Sequence, residues 1–246
     1  MRRFSWQIKL VIAFVVLSVL LYLMHYAIFQ DPHHIFIYML GDIAFIPLEV
    51  LLVTLVIHRV LSQRERRSRL EKLNMVIGAF FSEVGTALLT YFSDFDPRLD
   101  EVRKELVVTD DWSEQTFLSV SKRLARYDYK VDIQKVELEN LRIFLKAKRD
   151  FLLRLLENPT LLEHESFSEL LQGVFHLTEE LEKREGFIQL PQADYEHLAT
   201  DLRRAYGLLV HEWLRYMKHL RYNYPYLFSL AIRTNPFDQQ ASVLVG

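Results

Sequence analysis

The chain has 246 residues, half of them hydrophobic, with no cysteine and a formal net charge of -2. The absence of cysteine excludes disulfides, thiolate metal sites and cysteine nucleophiles, and a near-neutral balance argues against a nucleic-acid binder. The apolar content exceeds what a soluble chain with 25% charged residues needs, and the surplus is gathered in the first quarter of the sequence.

Residues 10–30 contain no Asp, Glu, Lys or Arg, and residues 32–58 contain only Asp42 and Glu49. With a helical rise of about 1.5 Å per residue, roughly 20 apolar residues cross a hydrocarbon core about 30 Å thick. Membrane spans are therefore expected at about 10–30 and 35–59. Arg2, Arg3 and Lys9 ahead of the first run resemble the start of a signal peptide, but the run exceeds the roughly 7–15 residues of a signal core. No small-x-small cleavage site follows, so the segment is read as a retained anchor. Between the runs lies "QDPHH", where Asp31 and Pro32 favour a turn too short to act as an outside sensor. Any signal would enter from the membrane or the cytoplasm. Arg2, Arg3 and Lys9 before the hairpin, with Arg59 and "RERRSRLEK" after it, place both termini in the cytoplasm by the positive-inside rule. The expected location is the cell (inner) membrane, multi-pass, with a hairpin at 1–61 and a cytoplasmic domain at 62–246.

Asp42 and Glu49 are seven residues apart, close to two helical turns, so they share a face, with Pro47 able to kink the helix between them. Ionisable groups in hydrocarbon cost about 2.5–3.5 kcal/mol on insertion scales and need a partner or water. Counting depth along the hairpin sets His25 near Asp42, and Ser18 and Tyr22 near Glu49. Two roles follow for the carboxylates. They either hydrogen-bond within the hairpin or between protomers, with Glu49 carrying its proton, or they line an ion or proton path. Two helices cannot enclose a pore, so a path requires an oligomer. Arg64, Arg66, Arg67 and Arg69 form a stop-transfer signal and can hold anionic lipid head groups at about 1 kcal/mol per basic residue. The adjacent span accounts for this charge, and no nucleic-acid partner is expected.

Residues 73–92 are long enough for a third span, with Glu83 as their single charge. Asn74, Ser82, Thr86 and Thr90 load the segment with polar groups, and Leu70, Leu73, Ile77, Phe80, Val84, Ala87 and Tyr91 recur at alternating three- and four-residue spacing. That is the seam of a bundle or coiled coil, so a buried cytoplasmic helix is expected. Beyond "SDFDP", capping and acidic residues in "TDDWSEQTFLSVSKRLARY" mark a helix start. Residues 131–157 carry Leu138, Leu141, Leu145, Leu152 and Leu155 on one stripe and end at Asn158-Pro159. A helix from Pro159 to about Arg184 follows. The last long one starts at Pro191, with Tyr195, Leu198, Leu202, Tyr206, Leu209, Trp213, Met217 and Leu220 as its seam up to Pro225. The fold class is all-α: an N-terminal two-helix transmembrane hairpin followed by a cytoplasmic helical bundle.

Glu165, Glu169, Gln172, His176 and Glu180 align along one side of the 159–184 helix. A carboxylate-bridged di-metal bundle needs Glu-x-x-His pairs, and none occurs. The opposite side carries Phe167, Leu170, Leu171, Val174 and Leu181, so the polar stripe reads as a solvated face and no metal is expected. His197 with Asp201, and His211 beside Glu212, read as surface pairings. No phosphate-binding Gly-rich loop, Gly-x-Ser-x-Gly or His-Glu-x-x-His is present, so no cofactor and no familiar enzyme chemistry is expected.

The C-terminal stretch combines Trp213, Tyr222, Tyr224, Tyr226, Phe228 and Phe237 with Arg215, Lys218, Arg221 and Arg233. Such a mixture suits either a membrane interface or an aromatic strap across the bundle. Taken together, the sequence describes a non-enzymatic scaffold or regulator that contacts membrane lipids, further copies of itself and a possible cytoplasmic protein. An oligomeric conductor using Asp42 and Glu49 is the alternative, and an enzyme of unfamiliar type within the bundle ranks third.

Overall fold

The computed structural model describes residues 6–162 and 164–244, and among these all regular structure is helical. Arg2, Arg3 and Gly246 lie outside the described residues, as does the side chain of Arg67. The chain divides into two compact units, residues 1–66 and 67–246, a few residues beyond the boundary expected from composition.

The first unit is a hairpin. Helix α1 (Trp6–Phe29) and the first part of α2 (Pro32–Phe80) flank a two-residue turn. Gln30 takes a positive φ of 51°, and Asp31 caps α2 by accepting from the backbone N–H groups of His33 (3.0 Å) and His34 (3.2 Å). Pro32 then occupies the first helical position, where its missing N–H is no loss. Both helices are long and apolar enough to cross a membrane, and no residue of either apolar window is buried. A core helix of a soluble protein would hide one side; here Leu17, Leu20, Leu51 and Val53 are each about half exposed.

The second unit contains the end of α2, a π-helical turn (Phe81–Gly85), α3 (Thr86–Asp94), α4 (Leu99–Leu106), α5 (Glu114–Leu124), α6 (Leu138–Leu156), the short α7 (Pro159–Leu162), α8 (Glu165–Glu182), α9 (Gln192–Asn223) and α10 (Pro225–Arg233). Helix α9 is central, packing against α3, α5, α8 and α10, while α6 packs on α8. The leucine stripe of α6 is buried throughout, and the seam of α9 from Leu198 to Leu220 is closed to solvent.

Residues 73–92 belong to this core: Leu73, Ile77, Phe80 and Val84 are buried as their spacing predicts. Beyond Val84 the seam departs from expectation. Ala87 is exposed and Tyr91 half-buried, while Leu88, Leu89 and Phe92 are completely buried. The π turn is the cause. It accommodates one extra residue, so every downstream position is advanced by one relative to an uninterrupted α-helix.

Two further boundaries differ. The helix expected from residue 131 begins at Leu138, because 131–137 form a turn tied down by the Asp132 N–H on the Phe95 carbonyl (2.9 Å) and by the Tyr91 hydroxyl on the Glu137 carbonyl (2.6 Å). The single helix expected over 159–184 is two, because His164 restarts it as a cap, its Nδ1 accepting from the Phe167 N–H at 3.3 Å.

Candidate functional site

Within the hairpin, Ser18, Tyr22, His25, Tyr38 and Asp42 line a cleft of about 320 Å³ between the two apolar helices. This corrects the expected depths. A turn at residues 30–31 sets residues whose numbers sum to about 61 at one level, so Ser18 and Tyr22 accompany Asp42 rather than Glu49. His25 sits nearer the turn, its ring 6.4 Å from His34 and nearly parallel to it, and its Nδ1 is enclosed without a hydrogen-bond partner. Glu49 does not line this cleft; its side chain stands on the exposed apolar surface.

Arg64, Arg66 and Arg69 are exposed along α2. The aromatic C-terminal segment divides into two populations. Trp213 is only 3% exposed and meets the fully buried Phe237 edge-on at 5.2 Å, which makes it a core residue and not part of an interface. Asn235 fastens the strap, its amide donating to the Leu106 carbonyl at 2.9 Å and its Oδ1 accepting from the Phe237 N–H. Tyr222 and Tyr226 are exposed and Tyr224 half-buried. The cations expected beside them have partners inside the unit: Lys218 pairs with Glu114 at 2.6 Å and Arg221 lies over the Phe228 ring. Glu212, expected at the surface beside His211, is 2% exposed and is neutralised by Arg215 at 3.0 Å. Burial, and then the neighbouring Arg215 guanidinium, push the His164 imidazole below its ordinary pKa.

A second constellation joins α8 and α9. His176 and Glu180 lie one turn apart on α8, and His197 and Asp201 one turn apart on α9. The loop at 183–191 returns the chain antiparallel, so His176 comes level with Asp201 and Glu180 with His197. Asp201 Oδ2 lies 3.6 Å from His176 Nε2 and 3.4 Å from His197 Nε2. Glu180 approaches the same two nitrogens with different oxygens, Oε1 lying 4.0 Å from His176 and Oε2 3.6 Å from His197. The imidazoles are half exposed, whereas the Asp201 side chain is 11% exposed and its Oδ2 is enclosed without a hydrogen-bond partner. Arg184 supports the group from behind, donating to Glu180 Oε2 at 2.8 Å and bidentately to Asp194 at 2.7 and 2.9 Å. Those hydrogen bonds hold both carboxyls below the usual range and raise the guanidinium. The signal for this grouping was present as two His-x-x-x-acid pairs on consecutive helices, a pattern distinct from Glu-x-x-His.

A third group meets α9 at Tyr206. Asp96 accepts from the Arg98 backbone N–H at 2.9 Å and from the Tyr127 hydroxyl at 3.3 Å, next to edge-on contacts between Tyr127, Tyr129 and Tyr206. Burial raises the pKa of all three phenols and of Asp96.

A family described as "MJ1433, N-terminal helical domain" matches residues 2–61, and one described as "Uncharacterized protein MJ1433, C-terminal helical domain" matches residues 69–233. The Uncharacterized protein MJ1433 of Methanocaldococcus jannaschii is 45% identical over 239 residues, covering 97% of this chain and 96% of that protein. No solved structure matches the chain. The interval between the two matched domains, 62–68, contains the division between the compact units.

Proposed function

The chain belongs to the family of the Uncharacterized protein MJ1433, matched in both helical domains, and we propose that it is a membrane-anchored helical protein acting through protein or lipid contacts as an oligomer. The observation that carries this reading is the hairpin's surface. Apolar side chains project on every side of α1 and of the first part of α2, and none is buried. An apolar area of this extent is stable in lipid and self-associates in water. Basic residues at the far end of the second apolar run support an orientation with that end on the cytoplasmic side. The oligomer rests on Glu49, whose carboxylate stands on this apolar surface, where a neighbouring protomer can supply a hydrogen-bond partner.

Topology reporters test the anchor. Fusions at the N-terminus and after residue 246 are expected to report cytoplasm, and one inserted at His33 the outside. A C-terminal reporter found outside would overturn the two-span arrangement. The cleft containing His25 and Asp42 favours one second reading, an oligomeric ion or proton conductor. Reconstituted protein that passes no ions or protons across a range of pH and voltage would remove it.

A further inference from the structure

We propose that His176, Glu180, His197 and Asp201 form a binding site for one divalent transition-metal ion of the zinc type, clasping α8 to α9. The site lies wholly within the second unit and stands independently of membrane anchoring.

An N–H···O hydrogen bond places its heavy atoms about 2.7–3.2 Å apart. The four nitrogen–oxygen separations here are 3.4, 3.6, 3.6 and 4.0 Å, all too long for good hydrogen bonds. Around a tetrahedral zinc ion with bonds of about 2.0–2.1 Å, neighbouring ligand atoms are about 3.4 Å apart. The Asp201 contacts with the two imidazoles, at 3.4 and 3.6 Å, are close to that spacing, and the Glu180 contacts, made by its two different oxygens, need a modest side-chain closure to reach it. The ligand atoms of His176, Glu180 and His197 all lie within 4.8 Å of one another, and Asp201 Oδ2 reaches both imidazoles.

The donor set is chemically apt: two imidazoles with two carboxylates suit zinc better than calcium or magnesium, which prefer oxygen alone. Asp201 adds a separate indication. A carboxylate oxygen closed to solvent and left without a hydrogen bond is costly, and a cation at the centre of the group removes that cost. Arg184 performs the supporting role common around such ions, fixing the Glu180 carboxylate through Oε2 while Asp194 fixes the guanidinium in turn. His176, Glu180 and His197 supply three ligands, and Asp201, beside both imidazoles, closes the fourth position when drawn onto the ion, which makes the site a structural clasp.

The test uses the full chain, free of any histidine tag, in detergent and stripped with a chelator. Elemental analysis after Zn²⁺ loading is expected to give one ion per chain, and Co²⁺ titration the intense visible absorption of a tetrahedral site. His176→Ala/His197→Ala should weaken binding by at least about 100-fold, and Arg184→Gln by about 10–100-fold through lost orientation of Glu180. Zn²⁺ should raise the melting temperature of the wild type by several degrees and leave the double variant unchanged. The double variant alters half-exposed imidazoles and Arg184→Gln a largely buried guanidinium, and circular dichroism with gel filtration checks that both fold. A wild-type chain that takes up no stoichiometric Zn²⁺ or Co²⁺, or a folded double variant that binds as tightly as wild type, overturns the site.

Discussion

Asp96 is 5% exposed, and burial raises its pKa above that of an ordinary aspartate despite the Arg98 N–H and the Tyr127 hydroxyl. A group raised in the folded state favours the native protein when protonated. Its contribution is complete below the unfolded pKa and is lost as the pH rises through the folded value. Asp96→Asn keeps an acceptor for the Arg98 N–H and carries no charge, so its stability relative to wild type should climb as the pH rises above about 4, the ordinary aspartate value. Denaturation at a series of pH values measures this, and a constant difference would show that Asp96 does not set it. Glu49 is the corresponding test in the hairpin. If its role is packing between protomers, Glu49→Gln preserves assembly and Glu49→Leu weakens it, as read by gel filtration in detergent or by cross-linking. If instead it lines a path, Glu49→Gln leaves the oligomer intact and alters flux in vesicles. Assembly that survives Glu49→Leu unchanged would refute the packing role.

At the level of elements, the π turn decides which residues of α3 reach the core. A Cβ added at Gly85 would come within 2.6 Å of Phe81 Cδ1 and 2.9 Å of Phe80 Cε1, both rings packed in the core. Neither ring can yield freely, because Phe80 meets Phe167 edge-on at 5.4 Å and Phe81 stacks on Tyr216 at 5.3 Å. Gly85→Ala should therefore destabilise the protein by about 1–3 kcal/mol, the usual cost of overpacking, even though alanine is the better helix former. Urea denaturation gives the value. A stabilising Gly85→Ala would mean that the turn relaxes to an ordinary α-helix without loss of packing.

For the whole molecule, the two units make different demands on solvent. Among the described residues the core of the second unit runs from Leu73 to Phe237, so residues 67–246 should be soluble and cooperatively folded when produced alone. Sedimentation and thermal unfolding test this; aggregation of that fragment would show that the hairpin completes its core. In the full chain, replacing Arg64, Arg66, Arg67 and Arg69 by Gln should weaken both the orientation preference and binding to anionic vesicles, by about 1 kcal/mol for each residue near the lipid surface. Unchanged topology together with unchanged vesicle binding would deny the cluster both roles.

Sequence alone determined the features that depend on short-range patterns. Apolar runs fixed the two long exposed helices, and three- and four-residue spacing fixed the stripes of α6 and α9, because the helical period is a local property of the backbone. The tertiary structure decided what depends on how helices are phased and turned against one another. Nothing in the spacing of residues 73–92 signals the π turn, yet that one extra residue exchanges Ala87 and Tyr91 for Leu88 and Phe92 in the core. Likewise Trp213 reads equally as a core or an interface aromatic until Phe237 closes over it. The convergence of His176 and Glu180 with His197 and Asp201 depends on the length of the loop at 183–191 and on the rotation of α8 about its own axis. A rotation of α8 by half a turn would carry His176 and Glu180 away from His197 and Asp201, and packing of the buried leucine face of α8 sets that angle.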